Sequence, residues 1–83
     1  MSFKDKVVLV TGGSSGLGLA IAREFVEQGA RVVITGRRQE QLDEALAGLG
    51  DKAVAMTADV SNATDLAGLF SRIESLHGRL DIL

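Results

Sequence analysis

The sequence predicts an α/β fold built on a doubly wound parallel sheet, and three observations carry that prediction. Short β-branched apolar runs alternate with stretches of helical periodicity. The connections between them are only a few residues long. Each apolar run is continuous rather than alternating, as in strands buried on both faces. Strand–helix alternation with such short turns gives parallel strands joined by right-handed crossovers.

KVVLVT (Lys6–Thr11) is the first strand, ended by Gly12. From about residue 15 to residue 28, Leu17, Ile21 and Phe25 recur every four positions, with Ala22 and Val26 beside them. That is a helical stripe, and Gly29 stands where a C-terminal cap belongs. RVVITG (Arg31–Gly36) is a second buried strand. Leu42, Ala45, Leu46 and Leu49 give a second helix, closed by Gly48 or Gly50. AVAMTA (Ala53–Ala58) is a weaker third strand, on which Met56 reads as core. Ser61 is the expected N-cap of a third helix with the stripe Leu66, Leu69, Phe70, Ile73 and Leu76, ended by Gly78. LDIL (Leu80–Leu83) opens a fourth strand, so residues 1–83 read as one portion of a domain cut within that strand. The strands should lie in the order 3-2-1-4.

The bulk numbers narrow the function classes. The chain has 83 residues, 46% hydrophobic and 24% charged, with a net charge of −2. A slightly acidic balance without a basic block argues against nucleic acid as the partner. No apolar stretch approaches the roughly 20 residues needed to span a bilayer, and the N-terminus lacks a signal-peptide core, so no membrane partner and a cytoplasmic location are expected. There is no cysteine, hence no disulfide and no thiolate metal site, and no metal ligand set is expected. Tyrosine is absent as well.

The stretch TGGSSGLG (Thr11–Gly18) is where chemistry concentrates. In such sheets ligands sit outside the carboxyl ends of the strands. This turn runs from a strand into a helix N-terminus, whose unpaired N–H groups and positive dipole end suit an anion. Three chemistries use such a turn. Gly12-Gly13-Ser14-Ser15-Gly16 matches the G-x-S-x-G nucleophile elbow. Its base would have to be His77, which ends the third helix at the opposite edge of the sheet, about 15 Å away for a five-residue strand. Proton transfer needs about 3 Å, so that reading fails. His77 reads instead as a solvated residue complementing the helix dipole. A nucleotide triphosphate loop needs a lysine after its last glycine, but Leu19 follows Gly18. Dinucleotide binding remains. Gly12 permits the turn, Gly16 lets backbone approach a pyrophosphate, and Gly18 lets the helix pack closely on the strand.

TGGSSGLG resembles the T-G-x-x-x-G-x-G motif of the short-chain dehydrogenase/reductase family. Asp59-Val60 and the closing GRLDIL stand in the family's order and spacing, and the whole chain is similar to the N-terminal part of those Rossmann-fold enzymes, nearest to the 3-oxoacyl-carrier-protein reductase type. The resemblance implies a NAD(P)-binding site in which Gly12, Ser14, Ser15, Gly16, Leu17 and Gly18 meet the ribose and phosphates. It implies that Asp59 accepts from the adenine amino group and that Val60 contacts the ring through its backbone. The alternative role for Asp59 is to cap the following turn.

Nucleotide choice turns on the end of the second strand, Thr35-Gly36-Arg37-Arg38. NAD-binding relatives hold an acidic residue there for the ribose 2′-hydroxyl. Gly36 takes that position, and Arg37 and Arg38 offer guanidinium forks matched to a 2′-phosphate. The expected cofactor is NADP rather than NAD. Gly36 also counts against a methyltransferase, which would want a carboxylate at the same place.

The resemblance further implies hydride transfer between NADP(H) and a carbonyl or alcohol, with a serine and a Tyr-x-x-x-Lys pair supplying and tuning the proton. None of these lies on this chain: it has no tyrosine, and its last lysine is Lys52. Two readings follow. Either the chain is the NADP-binding portion of a reductase and inactive alone, or it is a free-standing, non-catalytic nucleotide-binding half-domain. In both, self-association or association with a C-terminal part is expected, through the sheet edge bordered by Val7, Leu9, Ile82 and Leu83.

Overall fold

The computed structural model describes residues 3–14, 16–59 and 61–78. The expected fourth strand lies outside the described residues. Six elements follow in order: β1 (Val7–Thr11), α1 (Gly16–Glu27), β2 (Arg31–Gly36), α2 (Gln39–Leu49), β3 (Ala53–Thr57) and α3 (Ala63–His77). The three strands form one parallel sheet in the order β1-β2-β3, with Val8 opposite Val32 and Ile34 opposite Ala55. That is the 3-2-1 part of the expected order.

The strands read as continuous apolar runs because helices cover both faces. Successive side chains alternate across the sheet, so Val8, Val10, Val32 and Ile34 enter a core with Ala22 of α1 and Leu42, Ala45 and Leu49 of α2. Val7, Leu9, Val33 and Met56 point the other way and pack with Leu69 and Ile73 of α3. Val7 and Leu9, expected to border an open sheet edge, are thus covered on their side-chain face by α3 (both 2% exposed). Among the described residues Thr35 is the buried polar residue of the core, and its Oγ1 donates to the Met56 carbonyl at 2.7 Å, tying β2 to β3. At the start of the chain, Phe3 meets Phe25 edge to face at 5.1 Å.

Two local expectations are corrected and a third is narrowed. In α1 the buried line runs through Ala22, with Leu19, Phe25 and Val26 partly covered, while Leu17 is 77% exposed and Ile21 is 40% exposed. Small residues let this helix approach closely, and its larger side chains on the next line face away. The N-cap of α3 is Asn62 rather than Ser61, and its Oδ1 accepts from the N–H of Thr64 at 2.9 Å and of Asp65 at 3.1 Å. The second helix ends at Gly50, whose φ of 85° is left-handed backbone that favours glycine.

Candidate functional site

A cavity of about 390 Å³ opens across the carboxyl ends of all three strands. Its walls are Thr11 and Gly12 from β1 and the turn after it, Thr35, Gly36 and Arg37 from the end of β2, and Ala58, Asp59 and Ser61 from the loop after β3. Backbone bonds hold these three segments together: Gly12 N–H donates to the Thr35 carbonyl at 3.0 Å, and Ala58 N–H to the Gly36 carbonyl at 3.0 Å.

Backbone conformation at two glycines and close packing at two others build the glycine turn. Gly12 (φ 68°) and Gly16 (φ 56°) have left-handed backbone, and a Cβ on either would meet nothing within 4 Å. Their lack of a side chain therefore serves conformation and leaves the backbone open to a ligand. Gly18 differs. A Cβ there would overlap the Gly12 carbonyl, 2.8 Å from its carbon and 3.3 Å from Gly13 Cα. At Gly18 itself the close approach is to the turn that follows β1, while farther along the helix Ala22 packs on the strands. Gly13, a position the motif leaves open, is equally constrained: a Cβ would lie 2.7 Å from Ile34 Cγ2 and 2.9 Å from Ile34 Cβ. Only the doubled glycine after the strand hinted at it.

At the end of β2, Gly36 is half-buried, and a Cβ there would make only ordinary contacts, 3.6 Å to Leu42 Cδ2 and 3.8 Å to Ser14 Oγ. Packing therefore does not forbid a side chain at this position. Arg37 lines the cavity. Arg38 does not; it is the extended N-cap of α2, its carbonyl accepting from Leu42 N–H at 3.2 Å. Ser14, Gly16, Leu17 and Gly18 also lie outside the cavity walls, in the turn and first turn of α1, where helix N–H groups have no partner within the helix. Ser15 and Val60 lie outside the described residues.

Asp59 lines the same cavity as Arg37. Its Oδ1 accepts from both the N–H (3.0 Å) and the Oγ (2.6 Å) of Ser61, and its own N–H donates to Asp65 Oδ2 at 3.1 Å. Capping of the following turn, the alternative weighed for this residue, is therefore present, and it occupies one of the two carboxylate oxygens. The Ser61 hydroxyl and then the Ser61 N–H hold the Asp59 carboxyl below the usual carboxylate range; burial opposes them, and the charge on Arg37 adds the smallest lowering effect. Beneath the loop, Arg72 Nη2 of α3 donates to the Thr57 carbonyl at 3.0 Å.

His77 lies at the other end of the sheet, in a cavity it shares with Asp5, Arg31 and Lys52. It is not the solvated cation expected from its helix-end position. It is half-buried, its Nε2 is buried without a partner, and burial, with Arg31 adding to it, holds its pKa below the usual value. Among the described residues no group of three or more His, Cys, Asp or Glu side chains could hold a metal ion, and no helix is long and apolar enough to cross a membrane.

The comparisons with known proteins agree on one family. A family model described as short chain dehydrogenase matches residues 6–83. The oxidoreductase asL5 of Sarocladium schorii is 44% identical over 78 residues, covering 94% of this chain and 31% of that protein. Dehydrogenase/reductase SDR family member 4 of Oryctolagus cuniculus is 40% identical over 82 residues, covering 95% of this chain and 32% of that protein. A crystal structure of a short chain dehydrogenase from Bacillus anthracis superposes with a TM-score of 0.89 at 40% identity, over 94% of this chain and 34% of that one. The chain thus spans about a third of the length of the relatives it matches. These relatives carry the family and not the narrower 3-oxoacyl-carrier-protein reductase type. With a parallel sheet wound on both faces, a glycine turn at its carboxyl edge and a family match over residues 6–83, the chain belongs to the short-chain dehydrogenase/reductase family.

Proposed function

We propose that this chain supplies the adenosine and pyrophosphate half of an NADP(H) site in an oxidoreductase of this family. The observation that carries the reading is the end of β2, where Gly36 leaves room for a carboxylate that is not there and Arg37 lines the cavity in its place. When bound, the dinucleotide supplies hydride. The residues of this chain bind and orient it. The open backbone at Gly12 and Gly16 and the first turn of α1 take the phosphates. Arg37 pairs with a 2′-phosphate, and Asp59 accepts from the adenine amino group. Ser14, Ser15, Leu17, Gly18, Arg38 and Val60 complete the set that the family resemblance suggests. The proton donor of that resemblance is a tyrosine, which this chain does not have. The chain's part in turnover is therefore binding.

Titration of the chain with NADP and NAD by calorimetry tests this. A charge-assisted contact to the 2′-phosphate contributes on the order of 1.5–3 kcal/mol, so NADP should bind roughly tenfold to a hundredfold more tightly. Arg37→Ala should remove most of that margin and leave NAD affinity little changed. Gly36→Asp, which the local packing accommodates, should reverse the preference. Tighter binding of NAD by the unaltered chain would refute the proposal.

A further inference from the structure

Ser61 lines the cavity and has no part in the reading so far. It is not the helix cap that its position suggests, since Asn62 fills that role. Both of its donors go instead to a single atom, Asp59 Oδ1, at 2.6 Å from Oγ and 3.0 Å from N. The backbone beneath is held too. Asp59 N–H is fixed by Asp65 Oδ2, and Asp65 N–H by Asn62 Oδ1.

An aspartate carboxylate turns easily about its terminal torsion, whose energy profile is broad and roughly two-fold. Nothing in the residue itself decides which oxygen faces a ligand, or at what angle. Two donors converging on Oδ1 remove that freedom. Among the described residues, Oδ2 accepts no hydrogen bond, so its acceptor capacity is unspent on a residue that lines the cavity. Arg37, whose charge acts on the same carboxylate, is the competing partner. A carboxylate released toward that guanidinium would occupy both groups at once.

We propose that Ser61 is a positioning residue for adenine recognition, its hydroxyl and N–H together locking Oδ1 of Asp59 so that Oδ2 accepts from the exocyclic amino group of the base. This rests on the dinucleotide reading above and assigns within it a residue that neither the glycine motif nor the family resemblance singles out. Its consequence is selectivity for adenine over hypoxanthine, which carries a carbonyl where adenine carries the amino group. A carbonyl facing Oδ2 sets acceptor against acceptor.

The test titrates the full chain with NADP and with its hypoxanthine counterpart. The unaltered chain should bind the adenine form about tenfold more tightly, the scale of one good hydrogen bond to a charged group. Ser61→Ala keeps the N–H but not the hydroxyl, and should cut that ratio to about threefold or less while changing hypoxanthine binding by less than about twofold. Ser61→Thr, which retains the hydroxyl, should restore the ratio. A Ser61→Ala chain that loses both ligands by the same factor, or keeps its ratio, overturns the positioning role and leaves the dinucleotide reading standing. Failure of the unaltered chain to bind either ligand overturns both.

Discussion

Replacing Gly18 by alanine and, separately, Gly68 by alanine makes the same chemical change inside two helices, with opposite expected results. In a helix interior the change from glycine to alanine gains roughly 1 kcal/mol, because alanine loses less backbone freedom on folding. At Gly68 in α3 the added Cβ meets nothing within 4 Å, so that gain should appear undiminished. At Gly18 in α1 the same atom would lie 2.8 Å from the Gly12 carbonyl carbon. Carbon atoms settle at about 3.5–4.0 Å, so the overlap is about 0.7 Å or more. The obstacle is backbone, pinned by the hydrogen bond from Gly12 N–H to the Thr35 carbonyl at 3.0 Å. The start of α1 must lift instead. Overpacking of this kind costs about 1–3 kcal/mol, and a backbone obstacle belongs at the upper end. Less the helix gain, Gly18→Ala should destabilise by about 1–2 kcal/mol. The two variants should then differ by about 2–3 kcal/mol, or roughly 10–20 °C in Tm for a domain of this size. Thermal unfolding followed by circular dichroism measures this directly. A rise in Tm for Gly18→Ala matching that for Gly68→Ala would refute the steric account of the turn.

Two further outcomes follow from buried polar groups. Thr35→Val keeps shape and volume but removes the donor to the Met56 carbonyl, and should destabilise the chain by about 1–3 kcal/mol in urea titration; an unchanged midpoint would mean that the bond contributes nothing. Burial, aided by Arg31, holds the His77 pKa below 6.5 in the fold, so between that lowered value and 6.5 the unfolded chain binds more protons than the folded one. The stability tied to neutral His77 is therefore full above about pH 6.5 and lost as pH falls toward the folded value. Urea midpoints at pH 8, 6.5 and 5.5 should drop for the native chain and flatten for His77→Gln; parallel curves would show that His77 does not carry the effect.

The parts of this molecule legible in its sequence are those decided by pattern alone. The second helix is an example. Its apolar residues form a single stripe, and Leu42, Ala45 and Leu49 are the side chains it buries. In α1 the pattern offered two lines, one large and one small, and hydrophobicity favoured the large one through Leu17, Ile21 and Phe25. Packing chose the small one because Gly18 and Ala22 bring the helix close, a decision made by the turn and sheet it lies against. The cap of α3 failed for a similar reason. Ser61 and Asn62 are adjacent and both suited to capping, and the choice between them depends on Asp59, which engages Ser61 from outside the helix. His77 stood in a position where a solvated cation is the ordinary expectation. Burial against a neighbouring loop and Arg31 is invisible to periodicity.

The charges of the cavity make a demand of their own on whatever fills it. Arg37 and Asp59 share its walls, one a cation with several donors and the other an acceptor held ionised by Ser61. If the two could close on each other, the cavity would be electrostatically content without a ligand. The two Ser61 bonds oppose this by holding Oδ1 in place. A ligand that satisfies both walls must therefore bring an anion to one and a hydrogen-bond donor to the other, on a frame rigid enough to hold them apart. The adenosine 2′-phosphate end of NADP carries both groups, an amino donor on the base and a phosphate on the ribose. NAD brings the donor but offers Arg37 only a hydroxyl. The proposed preference for NADP and the proposed orientation of Asp59 would thus draw on the two walls of one cavity, Arg37 answering the 2′-phosphate and Asp59 the base.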